Sequence, residues 1–164
     1  PCDTCVAVFA SASRCYRIPV IIRSHLGTLL AFAEDRGADC SDDGDNHSLV
    51  LRRSHDDGRT WDPIIVVRRG SPPCDGCSAA ISNPNPVSVT LPDGSSAILL
   101  HFTTLNNPQP DRHGHDRQIW SGDDGLTWRN ETLLSYPPQE NIGAMVGPSA
   151  GLQDSRSGTI YFSA

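Results

Sequence analysis

The stretch that opens Tyr16-Arg17-Ile18-Pro19 and closes Ser54-His55-Asp56-Asp57-Gly58-Arg59-Thr60-Trp61 decides the reading of this chain. After the opening motif, Val20-Ile21-Ile22-Arg23 reads as a strand, and Ser24 to Gly27 as a turn. Pro19 suits a strand start or an edge strand, because it has no N–H to give to a ladder. Thr28 to Ala33 is apolar almost throughout, the pattern of a strand buried on both faces. Glu34, Asp35 and Arg36 follow, then a loop crowded with acids at Asp39, Asp42, Asp43 and Asp45. Ser48-Leu49-Val50-Leu51-Arg52-Arg53 brings the chain back. The whole is an antiparallel meander of about four short runs.

Its closing turn has a local logic. Ser and Asp side chains bond backbone N–H groups within the turn, Gly58 supplies a permissive conformation, and Trp61 covers the hairpin. The same pattern recurs as Ser121-Gly122-Asp123-Asp124-Gly125-Leu126-Thr127-Trp128, about 67 residues on. Two copies with identical internal spacing mark an internal repeat and point to a propeller. Between them Trp61 to Arg69 reads as a strand, and Gly70 to Cys77 as a loop. Ser82-Asn83-Pro84-Asn85-Pro86 opens a second blade, again with prolines at the strand start. Ala97 to Phe102 is its next strand, and Thr103 to Asp116 a long polar surface loop, a candidate rim.

The expectation is therefore an all-β chain, a β-propeller of four-stranded antiparallel blades. Blade 1 runs over about 14–61, blade 2 over about 62–128 and part of a third over about 129–164, within one domain spanning 1–164. That is roughly two and a half blades where propellers close with about four to eight, so the chain reads as a fragment.

Composition narrows the class. Apolar residues make up 37% and charged ones 20%, with fourteen glycines and thirteen prolines favouring turns over long helices. No apolar run has the length of a membrane span. A net charge of −6 with no basic stripe argues against nucleic acid as a partner. Six cysteines stand at Cys2, Cys5, Cys15, Cys40, Cys74 and Cys77. The two Cys-x-x-Cys pairs lie too far apart for a ribbon-type zinc site. An even count, with Asn-x-Ser/Thr sequons at Asn46 and Asn130, fits two or three disulfides in an oxidising compartment, whose pairing the sequence leaves open.

The order of these motifs resembles the sialidase (neuraminidase) family of six-bladed β-propellers. There a Tyr/Phe-Arg-Ile-Pro motif opens the catalytic domain and Ser-x-Asp-x-Gly-x-Thr-Trp turns, the Asp-boxes (BNR repeats), punctuate the blades. In this chain the boxes are carried by Ser54, Asp56, Gly58 and Trp61, and by Ser121, Asp123, Gly125 and Trp128. The resemblance implies an exo-α-sialidase, a glycosidase of sialylated glycans that acts with retention, needs no metal or cofactor, and works in a secreted, lysosomal or cell-surface lumenal setting. Arg17 would be the first of three arginines that clamp the sialic acid carboxylate, and Arg36 a further site arginine. A planar, permanently charged fork suits that anion. Glu34, two residues before Arg36 and so on the same strand face, would orient it.

Within the acidic loop the family's acid/base falls on Asp42 by spacing, with Asp43 as the alternative. A cluster of acids is expected to raise its pKa toward working pH. The family's tyrosine nucleophile, its glutamate partner and the other two arginines have no match in this chain, so the isolated piece is expected to be inactive.

Blander readings stand beside these. Either arginine serves equally as a structural ion pair, Glu34 as a solvated acid, and the Asp42 loop as a solvated acidic loop. A non-catalytic glycan- or protein-binding propeller, or a trans-sialidase or other glycosidase on the same fold, would keep the boxes, since fold does not fix function. Gly147-Pro148-Ser149-Ala150-Gly151 fits the Gly-x-Ser-x-Gly elbow, but Leu152 to Ala164 reads as a hairpin instead of the helix that motif needs. His113-Gly114-His115-Asp116 offers metal-ligand types but lies in a Gly/Pro loop with no further metal partner in view.

Overall fold

The structure, a computed structural model, describes residues 5–38, 40–42, 47–70, 78–106, 115–134 and 147–163. Among these every regular element is a strand. The first sheet runs β1 (Tyr16–Arg23), β2 (Leu29–Asp35), β3 (Ser48–Ser54) and β4 (Ile65–Arg68), each antiparallel to the one before. The second repeats the plan as β5 (Ser78–Thr90), β6 (Ser96–Asn106), β7 (His115–Ser121) and β8 (Arg129–Leu133). A short hairpin, β9 (Leu152–Gln153) and β10 (Ile160–Tyr161), comes after them. Two successive four-stranded meanders are the blades of a β-propeller.

Each sheet closes one strand later than expected. The division at Trp61 and Trp128 assigned the run after each turn to the next blade, whereas β4 pairs with β3 and β8 with β7. The reason is geometric: a tight turn reverses the chain, so the run that leaves it lies back on the strand that entered. The expected strand from Trp61 to Arg69 also shrinks to β4. The Trp61 and Asp62 carbonyls accept from the Arg52 guanidinium, at 2.6 and 2.7 Å, instead of joining the ladder.

The second sheet holds two further differences. It starts at Ser78, before the expected opening at Ser82, and its prolines sit inside β5. Its first strand is a sheet edge, where a missing N–H is tolerated. The expected long loop from Thr103 is mostly ladder at its ends, since β6 continues to Asn106 and β7 begins at His115. Polar residues are accommodated there because Thr103 Oγ1 donates to the buried Asp116 carboxylate at 3.0 Å. His113 lies outside the described residues, and His115 pairs across the sheet with Thr104.

One core joins the two sheets. Leu30, Phe32, Leu49 and Leu51 of the first pack with Ile81, Ile98, Leu100, Phe102 and Ile119 of the second, with Trp128 against them. Alternation along β6 supplies both of its faces. Ile98, Leu100 and Phe102 point to that core, while Ala97 and Leu99 join Val87, Val89, Ile160 and Phe162 in a second cluster under the hairpin. Burying each large apolar side chain contributes about 1.5–3 kcal/mol.

The two turns are built alike. Ser54 Oγ donates to Asp56 Oδ1 (2.9 Å) and accepts from Gly58 N (2.8 Å), and Asp56 accepts from the N–H (2.8 Å) and hydroxyl (2.6 Å) of Thr60. Ser121, Asp123, Gly125 and Thr127 repeat every one of these bonds. Both tryptophans donate Nε1–H to the turn glycine's carbonyl at 3.1 Å. Both glycines need their lack of a side chain, with φ of 86° and 87°. Gly125 also lies against the first sheet, where an added Cβ would stand 2.7 Å from Leu51 Cδ2. The second turn thus lies against the first sheet as well as closing its own.

The turns make a testable contribution to acid stability. Thr60, by hydroxyl and N–H, lowers the Asp56 carboxyl from 3.8 to about 2. Burial works to raise Asp123, and bonds from Ser121 and Thr127 outweigh it, again to about 2. A carboxyl whose folded pKa lies below its unfolded one stabilises the fold above the unfolded value and loses that contribution as pH falls through the folded one. Denaturant titrations at stepped pH should therefore show stability falling between 3.8 and 2. An Asp56→Asn/Asp123→Asn double variant should fall less steeply over that window. An equally steep loss would place the acid sensitivity elsewhere.

Candidate functional site

Arg17 stands on β1 directly opposite Glu34 on β2. Just past Arg17 the edge strand bulges, and the register slips between Arg17 and Val20. Ile18 there has φ 53° before Pro19. The residue before a proline is normally extended, and a β-branched residue in the left-handed region costs about 1–3 kcal/mol. Bulges of this kind re-aim side chains, and strain held in place is a mark of functional segments.

The device recurs. In β5 the register slips between Ser82 and Asn85, with Asn83 at φ 58° before Pro84. Gly147, at φ 70°, precedes Pro148 in the third segment. The second site bonds the first sheet, and the third packs on the second. Asn83 N–H donates to Glu34 Oε1 at 2.7 Å, and Gly147 lies against Asn83 O and Asn85 Cβ. Sequence reading missed Asn83 as a site neighbour, and the recurring X-Pro after a polar residue was the signal for it.

Arg36 is fixed from both backbone and side chain. Its N–H donates to Cys15 O at 2.9 Å, and Cys15 N–H to Gly37 O at 2.6 Å, extending the β1–β2 ladder beyond both strands. Its Nε and Nη2 bond Glu34 Oε2 at 2.7 and 2.6 Å. Both side chains are buried, Arg36 at 5% exposure and Glu34 at 0%. Glu34 therefore orients Arg36 with one oxygen and holds the second sheet with the other.

Asp42 completes the group. Its Oδ1 accepts from Arg17 Nη1 at 2.7 Å and also from Arg36 Nη1. Cys40, two residues earlier, is disulfide-bonded to Cys15, two residues before Arg17, with Cα atoms 5.3 Å apart. That bond leashes Asp42 beside the arginines. Arg17, Arg36, Glu34 and Asp42 thus meet at one end of the first sheet, and Asp43 lies outside the described residues.

The electrostatics run opposite to the sequence expectation. A raised Asp42 pKa was expected from the surrounding acids. Instead the hydrogen bond and charge of Arg36 outweigh burial and hold the carboxyl below the usual carboxylate range, with lesser help from Arg17 and His47. Bonded to two guanidinium groups, Asp42 is ionised here and is not a proton donor as it stands.

No family model matches the chain. Among solved structures, a Hadza microbial sialidase superposes with a TM-score of 0.72 at 20% identity, over 90% of this chain and 31% of its own. The NanB sialidase of Streptococcus pneumoniae gives 0.76 at 11% identity, over 98% of this chain and 43% of its own. A protein of unknown function from Dyadobacter fermentans gives 0.64 at 18% identity, over 94% and 48%. The chain thus spans less than half the length of each of these proteins. At such identities the likeness is one of fold: these blades are those of a sialidase-like β-propeller.

Proposed function

We propose that the protein carrying this chain is an exo-α-sialidase, a retaining glycoside hydrolase that removes terminal sialic acids from glycoproteins, glycolipids and oligosaccharides. The observation that supports it is the meeting of Arg17 and Arg36 on a single carboxylate oxygen at the end of the first sheet, in a fold shared with sialidases. Arg17 receives the sugar carboxylate, Arg36 binds the sugar beside it, Glu34 keeps Arg36 aimed, and Asp42 protonates the departing glycosidic oxygen. The nucleophile and its partner base come from elsewhere in the protein. The Cys15–Cys40 bond supports a secreted or lumenal setting, since disulfides persist in oxidising compartments.

The test is hydrolysis of an α-sialoside by the full-length protein and by Arg17→Ala. A clamp that holds the carboxylate in ground and transition states alike acts mainly on binding. Loss of a charge-assisted bond should raise KM by roughly 10- to 100-fold and change kcat much less. An unaltered KM would remove Arg17 from the clamp.

A second reading, a sialoside-binding propeller without catalysis, is favoured by the ionised state of Asp42. It is told apart by a full-length protein that binds sialosides yet releases no sialic acid at any pH.

A further inference from the structure

We infer that Asp42 is the resident anion of the arginine pair: in the free protein its carboxylate fills the position a ligand carboxylate takes, and the ligand displaces it. This rests on the sialidase reading of the same site.

Among the described residues the Arg17 side chain bonds Asp42 alone. Arg36 has Nε and Nη2 committed to Glu34, so Nη1, which also donates to Ser41 O at 3.4 Å, is the corner it turns to Asp42. Both offered corners converge on the same Asp42 oxygen. Arg17, the clamp arginine, is thus occupied by a carboxylate from within the chain, with Arg36 as that carboxylate's second donor.

The occupant is suited to leave. Arg36 is buried at 5% exposure and built into the sheet, while the Asp42 side chain is 71% exposed on non-strand backbone. Its tether, the Cys15–Cys40 bond, keeps it local after it moves, so it remains a competitor at high effective concentration. Exchange conserves charge: one carboxylate enters as another departs.

Displacement also changes what Asp42 is. The groups facing it are Arg17 from β1, Arg36 after β2 with Glu34 behind it, and His47 ahead of β3. Once a ligand carboxylate neutralises the arginines, Asp42 loses the contacts that keep it ionised and gains a like charge beside it. Its pKa then rises, so at acid pH it takes a proton from solvent, and that proton is the one a leaving glycosidic oxygen needs. Ligand binding makes the acid.

Calorimetric titration of the full-length protein and of Asp42→Asn tests this. The probe is 2-deoxy sialic acid, which has no leaving group, beside its methyl ester, which has no charge. Asp42→Asn removes the competing charge and should bind the acid about three- to tenfold tighter, with the ester unaffected. Wild type should take up protons as it binds the acid near pH ~4, read from the dependence of heat on buffer ionisation, and the variant none. Binding no tighter in the variant, or equal proton uptake in both, overturns the inference while leaving the sialidase reading intact. If wild type binds no acid at all, the arginines are not a carboxylate receptor and both readings fall.

Discussion

Asp42→Ala in the full-length protein should lower turnover on a natural sialoglycan by about 10²- to 10⁴-fold, the usual contribution of a positioned general acid. An aryl sialoside should lose far less. A sugar alkoxide is a poor leaving group and needs its proton as the C–O bond breaks, whereas a phenolate departs without one. The comparison therefore isolates proton donation from every other consequence of the substitution. Misplacing the loop or weakening binding would slow both substrates alike. Equal losses on the two would show that Asp42 only occupies the arginines, and Asp43→Ala would then be the variant to measure. Unchanged turnover in both variants would mean that this loop does not carry the acid.

Much of the fold was legible because the information is local. The Ser-x-Asp-x-Gly-x-Thr-Trp turn is specified by side chains bonding backbone within eight consecutive residues, and its repetition revealed the blade plan. The continuous apolar run from Thr28 to Ala33 marked Leu30 and Phe32 as part of a strand buried on both faces. What escaped was set by partners distant in sequence. Thr103, Thr104 and Asp116 look like loop residues until the ladder between β6 and β7 is formed and Thr103 bonds Asp116. Asn83 reads as a strand-start residue until its N–H is found on Glu34, in the other sheet.

The candidate site divides the same way. Arg17, Arg36, Glu34 and Asp42 were visible as residue types in a motif order. The pairing of Glu34 with Arg36 was visible too; that of Asp42 with both arginines was not, and with it the direction of the Asp42 pKa, which depends on which charges come within bonding distance. Acids close in sequence suggested an upward shift. Arginines close in space impose the downward one.

Glu34 is where fold and site are least separable, and Glu34→Ala should be the most destabilising single change in this group. Removing one member of a buried ion pair leaves the other charged and uncompensated, at about 3–5 kcal/mol. Arg36 keeps Asp42 as a second partner, which moves the expectation to the lower end, about 3 kcal/mol. The Asn83 N–H is orphaned in the same step, so the contact between the sheets is weakened too. Denaturant unfolding should show the midpoint falling in Glu34→Ala. A Glu34→Leu/Arg36→Met double variant should regain most of the stability, because it leaves no unpaired charge to bury. The same double variant should bind 2-deoxy sialic acid poorly, since one of the two arginines of the site is gone. Recovery of stability without recovery of binding is the signature of a buried pair kept to aim a guanidinium. If Glu34→Ala proves as stable as wild type, Arg36 does not depend on Glu34 for its burial, and the bridge from Arg36 to Asn83 does not hold the sheets together.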